Sequence, residues 1–216
     1  MDQPRGKGLG GSSAINYQMY VRGHKVDYDD WEKLGNKGWG FQDLLPYFTK
    51  HEHSDDPSGY TTKPNIPLET TYDAGIHGTD GPIHTSFSTW RLPAEREWMA
   101  ASSTLGKNMG SPLEAWTGDH MGMHHSLSTI DRSNGELTGT RSYATTGYLL
   151  PNAGRPNLKV LIEALVTKLI ISDAGEVTGV EFLHEDKSHT VLAKKEVVVS
   201  AGTVCTTYPV LPCRQS

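Results

Sequence analysis

A glycine-rich segment near the start of the sequence is the clearest candidate for chemistry. Four glycines lead into a pair of serines: Gly6, Gly8, Gly10, Gly11, Ser12 and Ser13. Because glycine has no Cβ, the backbone of such a loop can approach a ligand closely. Free amides at a helix start, together with the positive end of the helix dipole, suit a pyrophosphate or another anion. These residues alone indicate an anion loop, and a glycine turn that binds nothing is an equally open interpretation.

The elements that must position this loop are short helices and turns. A helix is predicted to begin at Ser12-Ser13, and further helical patterns cover 27–34, 41–50, 93–107 and 143–150. Residues 54–82 are rich in Ser, Thr, Pro, Gly and Asp without a sustained period, which indicates an excursion loop. Asn134-Gly135, between strand-like segments 126–130 and 136–141, predicts a tight hairpin turn.

The last quarter of the chain has a β pattern. Three β-branched or alternating segments, 158–172, 176–184 and 190–200, are separated by short turns, which predicts a three-stranded antiparallel meander. Val197-Val198-Val199 has no polar alternation, so we expect that strand to be buried on both faces. Helices followed by this meander predict an α+β fold.

The segment from Gly6 to Asn16, continued by Tyr20, Gly23 and Asp29, resembles the first signature of the glucose-methanol-choline (GMC) oxidoreductase family. The similarity continues at Trp31 and in residues 38–48, 77–82, 141–149, 157–166 and 198–203, and so covers roughly residues 4–204. The resemblance implies an incomplete FAD/NAD(P)-binding fold of the GMC type. It also implies an FAD-dependent oxidoreductase that acts on CH–OH groups, with a small-molecule alcohol as substrate.

The resemblance assigns cofactor-binding roles residue by residue. The pyrophosphate of FAD would lie against Leu9, Gly10, Gly11, Ser12 and Ser13, and the isoalloxazine ring against Asn16, Tyr17, Gln18 and Met19. Val166 would meet the adenine, and Ala201 and Gly202 would close on the cofactor from the side of the meander. Some relatives attach FAD covalently through a histidine where this sequence has Ile15. We therefore expect non-covalent FAD.

The resemblance further implies an interior fragment. Family members open with a βαβ unit that carries Gly-x-Gly-x-x-Gly, and their catalytic histidine lies near the end of a longer chain. Neither has a counterpart here, so no catalytic residue is assigned and the chain alone is expected to be inactive. The expected organisation is a partial FAD-binding region at 1–50, a cap or substrate region at 51–155, the meander of the FAD-binding domain at 156–204 and an aberrant tail at 205–216.

Charge and hydropathy argue against other functions. The 25 acidic and 20 basic residues are scattered, with a net charge of -5, so there is no basic stripe to follow nucleic acid. Apolar runs are too short for a membrane span. His120 and His124 would share one face of a helix as metal ligands, but Gly118 and Gly122 disfavour that helix, and no metal site is predicted.

A few other residues have two interpretations. Trp90 and Trp116 could line a substrate cavity, although large aromatic residues are more often simply packed. Arg141 could pair with a phosphate or carboxylate, but a structural hydrogen bond is the better prediction.

Two alternatives to an enzyme fragment stay open. A non-catalytic FAD- or ligand-binding module would need only part of the site. An unstable truncated product would expose unpaired strand edges and aggregate.

Overall fold

The computed structural model describes residues 4–55, 72–90, 92–104, 114–133, 139–203 and 206. The chain divides into two compact units, Met1–Ala153 and Gly154–Ser216. Helices, parallel strands and antiparallel strands all occur, in line with an α+β fold. The sequence-based domain boundaries stay predictions, and the tail expected at 205–216 lies outside the described residues except for Thr206.

The described residues of the first unit include three α-helices and six short strands. The helices are α1 (Lys25–Lys33), α2 (Phe41–His51) and α3 (Ala94–Ser103). The strands are β1 (Met19–Tyr20), β2 (Glu52–Ser54), β3 (Ile83–Phe87), β4 (Leu127–Ser128), β5 (Ile130–Asp131) and β6 (Thr140–Arg141). Single helical turns connect them at Gly11–Ala14, Ala74–Ile76, Ala115–Thr117 and Leu150–Asn152, and Thr145–Leu149 is a π-helical turn. Helices α1, α2 and α3 thus occupy the predicted segments 27–34, 41–50 and 93–107 with shifted ends, as far as the described residues extend.

Local sequence explains where α1 begins and ends. The Nδ1 atom of His24 accepts a hydrogen bond from the amide of Val26, 3.1 Å away, and caps the first turn. Asp27 in the first turn and Lys33 in the last complement the helix dipole. Gly35 then takes a left-handed conformation with φ 104°, which ends the helix.

An aromatic cluster joins α1 to α2. The ring of Tyr28 lies 5.9 Å from that of Phe41 and 5.5 Å from that of Phe48, measured between centroids. Phe41 is buried at the start of α2. Edge contacts of this kind add to the burial of apolar surface, so the two helices pack through their aromatic faces. Pro46 lies inside α2 without ending it.

A four-stranded sheet in the order β1-β4-β3-β2 organises the first unit. Strand β2 pairs with β3 in parallel, and the other pairs are antiparallel. Both ends of the predicted excursion loop at 54–82 are thus tied to the sheet, while residues 56–71 lie outside the described residues. Strands β5 and β6 form a separate antiparallel pair, and the predicted turn at Asn134-Gly135 also lies outside the described residues.

Among the described residues, a cluster of buried apolar side chains lies against β3 and β4. Its buried members are Phe87, Ala115, Trp116 and Leu127, with Tyr20, Tyr72 and Ile76 packed around them. Trp116 is only 2% exposed and meets Phe87 edge-on. The idea that Trp116 lines a substrate cavity is therefore wrong, because the side chain fills the core. Trp90 is 60% exposed.

A charged network is buried beside this core. The carboxylate of Glu52 accepts hydrogen bonds from Arg22 Nη2 at 2.8 Å, from Thr85 Oγ1 at 2.9 Å and from the amide of Gly78 at 3.2 Å. The side chains of Arg22 and Glu52 are 1% and 0% exposed. Arg22 also donates to the carbonyl oxygens of Ile76 and Trp116. A buried charge is stable only when it is paired and hydrogen-bonded, and both requirements are met here.

His77 extends the network to a second acid. Its Nδ1 atom lies 3.0 Å from the Glu52 carboxylate, and its Nε2 atom lies 3.8 Å from Glu114 Oε2. The ring stacks on Tyr72 with centroids 4.8 Å apart. Burial works against the charged imidazole, but the two carboxylates outweigh it and the pKa of His77 is raised. Burial likewise opposes ionisation of Glu52, yet its pKa is lowered because His77, Arg22 and Thr85 stabilise the carboxylate.

The second unit contains the predicted antiparallel meander. It consists of β7 (Leu165–Ile171), β8 (Val177–His184) and β9 (Lys187–Leu192), in that order in the sheet. The turn between β8 and β9 is tighter than predicted. Glu185 and Asp186 both have positive φ, 50° and 58°, which is the geometry of a two-residue hairpin, so β9 begins at Lys187.

The prediction for Val197-Val198-Val199 is wrong. These residues lie outside any strand, and Val198 is 78% exposed. A β-branched run forms a strand only when another strand pairs with it, and among the described residues none does. Within the same described part of the chain, no helix combines the length and apolar character needed to cross a bilayer.

The first prediction concerns the buried ion pair. Arg22→Ala leaves the Glu52 carboxylate buried without its cation, and we expect a loss of about 3–5 kcal/mol in the free energy of unfolding. Urea unfolding followed by tryptophan fluorescence measures this loss. Lys33→Ala, which breaks the exposed pair with Asp30, is the matched control and should leave the midpoint unchanged. Equal losses in the two variants would contradict the assignment.

The second prediction concerns pH. The pKa of His77 is raised above its ordinary value of 6.5, so its contribution to stability is complete below pH 6.5 and is lost as pH rises through the folded pKa. The pKa of Glu52 is lowered from 4.5, so its contribution is present above pH 4.5 and is lost as pH falls through the folded pKa. The urea concentration at the midpoint of unfolding should therefore be highest between pH 4.5 and pH 6.5. His77→Gln should flatten the alkaline decline, whereas the exposed His189→Gln should not; an unchanged slope in His77→Gln would rule the mechanism out.

Candidate functional site

The glycine loop folds as a tight reversal. Gly10 and Gly11 have φ of 87° and 54°, a left-handed conformation that favours glycine. A Cβ atom on Gly10 would lie 2.7 Å from Thr145 Oγ1 and 2.8 Å from Tyr143 Cδ2, so a larger residue does not fit there. Backbone geometry favours glycine at both positions, and close packing also requires it at Gly10.

The helix predicted to begin at Ser12 is only one 3-10 turn, Gly11–Ala14. The amides of Ile15 and Asn16 both donate to the carbonyl of Ser12, and the chain then leaves the helical conformation. A turn this short has little macrodipole, because that dipole is a sum over many aligned peptides. The predicted contribution of a helix dipole is therefore wrong, and the donors that the loop offers are individual amides.

Several of those amides are available. Among the described residues, the amides of Leu9, Gly10 and Ser12 have no acceptor in the protein. Gly11 donates to Gly8, and Gly6 donates to Ser12 Oγ at 3.1 Å. Successive amides around a left-handed glycine form a concave group of donors that suits an anion.

Arg141 holds the far side of the loop. Its guanidinium donates to the carbonyl of Ser13 at 3.2 Å, to Asn16 Oδ1 at 2.8 Å and to the carbonyl of Asn16 at 2.9 Å. Ser13 Oγ donates to the carbonyl of Gly10 and accepts from the amide of Ala144. The predicted structural role of Arg141 is confirmed, and what it fixes is the loop.

The residues after the loop present an exposed edge. Tyr17 is 96% exposed and Met19 is 65% exposed. Gln18 has a positive φ of 64°, because its amide donates to Asn16 Oδ1 and its carbonyl accepts from the amide of Thr129. These bonds tie the segment to β4 and leave the side chains of Tyr17 and Met19 outside the protein core. Their expected contact with an isoalloxazine ring stays a prediction.

The remaining expected cofactor residues belong to the second unit. Val166 lies in β7 opposite Phe182, with 56% of its surface exposed. Ala201 and Gly202 follow the meander, are exposed and belong to no strand; Gly202 has a φ of 94°. Their roles toward adenine and cofactor also stay predictions.

The histidines near residue 120 do not form the helix-face pair considered from the sequence. Residues 118–124 are irregular, with Gly118 and Gly122 at φ of 93° and 118°. The rings of His120 and His124 are 6.0 Å apart. The glycines take left-handed conformations that an α-helix cannot contain, which is the reason that the helical spacing is not realised.

Residues 1–211 match the family model described as GMC oxidoreductase. The chain belongs to the GMC oxidoreductase family. The family resemblance seen in the sequence is therefore confirmed.

Curated relatives agree with this assignment. A dehydrogenase of Monascus purpureus is 42% identical over 206 residues, which cover 93% of this chain and 31% of the relative. An oxygen-dependent choline dehydrogenase of Sinorhizobium fredii is 36% identical over 201 residues, which cover 93% of this chain and 32% of the relative. The chain thus spans about a third of the length of the curated relatives it matches.

Solved structures of oxidoreductases are also similar to this chain. An FAD-dependent oxidoreductase from Chaetomium thermophilum superimposes with a TM-score of 0.78 at 29% identity, over 88% of this chain and 32% of that one. A formate oxidase of Aspergillus oryzae gives a TM-score of 0.72 at 28% identity, over 95% of this chain and 33% of that one. The family and these FAD-dependent neighbours support FAD as the cofactor.

The third prediction concerns Arg141. Arg141→Ala removes three hydrogen bonds to the loop, so residues 13–18 should open more readily. We expect their amide hydrogen exchange to accelerate about tenfold or more, as measured by mass spectrometry of peptides. Arg155→Ala, at an exposed position, should leave the same peptides unchanged. Equal exchange in both variants would show that Arg141 does not hold the loop.

Proposed function

We propose that this chain forms part of the FAD site and the adjoining cap or substrate region of an FAD-dependent GMC oxidoreductase that acts on CH–OH groups of small-molecule alcohols. The observation that carries the proposal is the loop from Gly6 to Asn16. It combines residues that resemble the family's first signature with backbone amides that have no acceptor among the described residues. Residues 51–155 are proposed as the cap or substrate region.

The loop fits a diphosphate. The amides of Leu9, Gly10 and Ser12 can each donate to an anionic oxygen, and bonds to a charged acceptor are roughly twice as strong as neutral ones. A Cβ added to Gly8 or Gly11 would meet no atom within 4 Å, so the loop is open on that side. The loop therefore has both open space for a ligand and amide donors that face no protein acceptor among the described residues, and Arg141 fixes its opposite side.

The other cofactor contacts are proposed from the family pattern. Gly11 and Ser13 complete the loop around the pyrophosphate, and Asn16, Tyr17, Gln18 and Met19 lie along the isoalloxazine ring. Val166 meets the adenine, and Ala201 with Gly202 closes on the cofactor. Ile15 carries no nucleophile, so attachment of FAD at this position is non-covalent.

Bound FAD would supply the acceptor for a hydride from the alcohol carbon. The residues of this chain bind and orient the dinucleotide, and the exposed side chains of Tyr17 and Met19 present apolar surface beside it. No residue of the chain is proposed as the catalytic base. Inactivity of the chain by itself stays a prediction.

The fourth prediction tests the loop. Gly10→Ala forces a residue with a Cβ into a left-handed conformation against Thr145 and Tyr143. The Kd for FAD, followed by flavin fluorescence, should rise about tenfold or more, equivalent to about 1.4 kcal/mol. Gly154→Ala, where a Cβ meets nothing within 4 Å, is the matched control and should bind as the parent does.

Competition identifies the part of the cofactor that the loop recognises. ADP carries the diphosphate and should displace FAD from the parent chain, whereas riboflavin, which has no phosphate, should displace it poorly. A parent chain that leaves FAD fluorescence unchanged would overturn the proposal. So would a Gly10→Ala variant that keeps the parent circular dichroism spectrum and the parent affinity.

A further inference from the structure

Two histidines and an aspartate meet on the half-exposed face of the β2–β3 pair. In the parallel register of these strands, His53 lies directly opposite His84, and their rings stack with centroids 4.3 Å apart. One ligand atom from each of His53, Asp55 and His84 lies within 4.8 Å of the others. These three residues, the His-Asp-His cluster, are separate from the glycine loop.

Strand geometry explains why the cluster forms. Side chains alternate between the two faces of a strand, so Glu52 and Ser54 point into the core while His53 points to the opposite face. Asp55 follows two residues after His53, and its amide donates to the carbonyl of Thr85, which extends the ladder. The alternation along β3 places His84 on that same face, between the buried Ile83 and Thr85.

A second acid borders the cluster. Asp131 Oδ1, from β5, lies 3.6 Å from His84 Nδ1. That nitrogen is buried and has no hydrogen-bond partner among the described residues. The amide of His84 donates to Ser142 Oγ at 2.9 Å, which fixes the strand at this point. The hydrogen-bond network around this buried ring nitrogen is therefore incomplete. With two carboxylates beside it, the nitrogen is placed to act as a ligand to a cation.

The donor types select the class of ion. Imidazole nitrogen with carboxylate oxygen is a ligand set for zinc and similar divalent transition metals, whereas magnesium and calcium prefer oxygen ligands alone. Zinc holds its ligands at about 2.1 Å, so tetrahedral donors lie about 3.4 Å apart. The present separations need small side-chain rotations to reach that arrangement.

We propose that His53, Asp55 and His84 form a binding site for a divalent transition metal such as Zn²⁺, with Asp131 as a fourth ligand or as the acid that orients His84. The ion would join β2, β3 and β5 at one point of the first unit. This site is independent of the proposed flavin function, since none of its residues belongs to the glycine loop.

Metal binding to the purified 216-residue chain tests the proposal. After treatment with a chelator, the chain is titrated with Co²⁺, whose visible d–d absorption is strong in four-coordinate sites, and then with Zn²⁺ in competition with a chromophoric chelator. We expect one equivalent of Zn²⁺ to bind and to displace Co²⁺. Zn²⁺ should also raise the thermal midpoint, whereas the same concentration of Mg²⁺ should not.

Matched variants locate the site. His53→Gln and His84→Gln should each weaken Zn²⁺ binding at least about tenfold, since even outer-sphere partners are worth that much, and Asp131→Asn should weaken it less. His189→Gln, an exposed histidine in β9, should bind Zn²⁺ as the parent does. Circular dichroism confirms that each variant is folded.

Either of two results would overturn the proposal. One is a parent chain without Co²⁺ absorption and without competition for Zn²⁺. The other is parent-like affinity in His53→Gln and His84→Gln. If a variant does not fold, the Co²⁺ and Mg²⁺ comparisons on the parent chain still decide between a transition-metal site and none.

Discussion

The carboxylate of Glu52 is the interaction on which the first unit depends. It is fully buried and takes its donors from three places in the chain: Arg22 after β1, Thr85 in β3, and His77 with Gly78 in the connection that precedes β3. A buried carboxylate that loses any of these donors becomes costly, so the three segments can only be assembled together. The apolar cluster around Trp116 lies beside this network, with the rings of His77 and Trp116 6.0 Å apart. The polar network and the apolar core are therefore assembled together, and both fix the ends of β2 and β3.

Much of the fold follows from the sequence because the deciding signals are local. Helices α1 and α2 and the strand β8 were expected within a few residues of their observed bounds, since capping groups, periodicity and short turns operate over such distances. The first strand of the meander was expected over 158–172, but β7 begins only at Leu165. The errors occur where distant residues decide. The turn at Gly11–Ala14 stays short because Arg141, far along the chain, holds Asn16, and Val197-Val198-Val199 has no partner strand among the described residues. The parallel pairing of β2 with β3 likewise brings together residues that no local pattern connects.

The candidate sites differ in the same way. The glycine loop could be found from the sequence because its chemistry is contiguous and its spacing is a family signature. The His-Asp-His cluster was missed, although His53 and Asp55 stand two apart as a strand would require, because His84 joins them only through the strand register. For Trp116 the sequence left two interpretations open, and only the structure shows that the side chain is packed in the core.

The alternation in β2 has a consequence for how this protein can change over time. Glu52 and His53 are adjacent, yet Glu52 faces the buried interior and His53 faces a half-exposed surface. Inserting or deleting one residue in this strand would exchange their environments, placing an imidazole among Arg22 and Thr85 and expelling the carboxylate. Point substitutions at His53 spare the interior, whereas any change of length does not. This strand should therefore accumulate replacements on its exposed face and keep a constant length, because its register aligns the neighbouring segments.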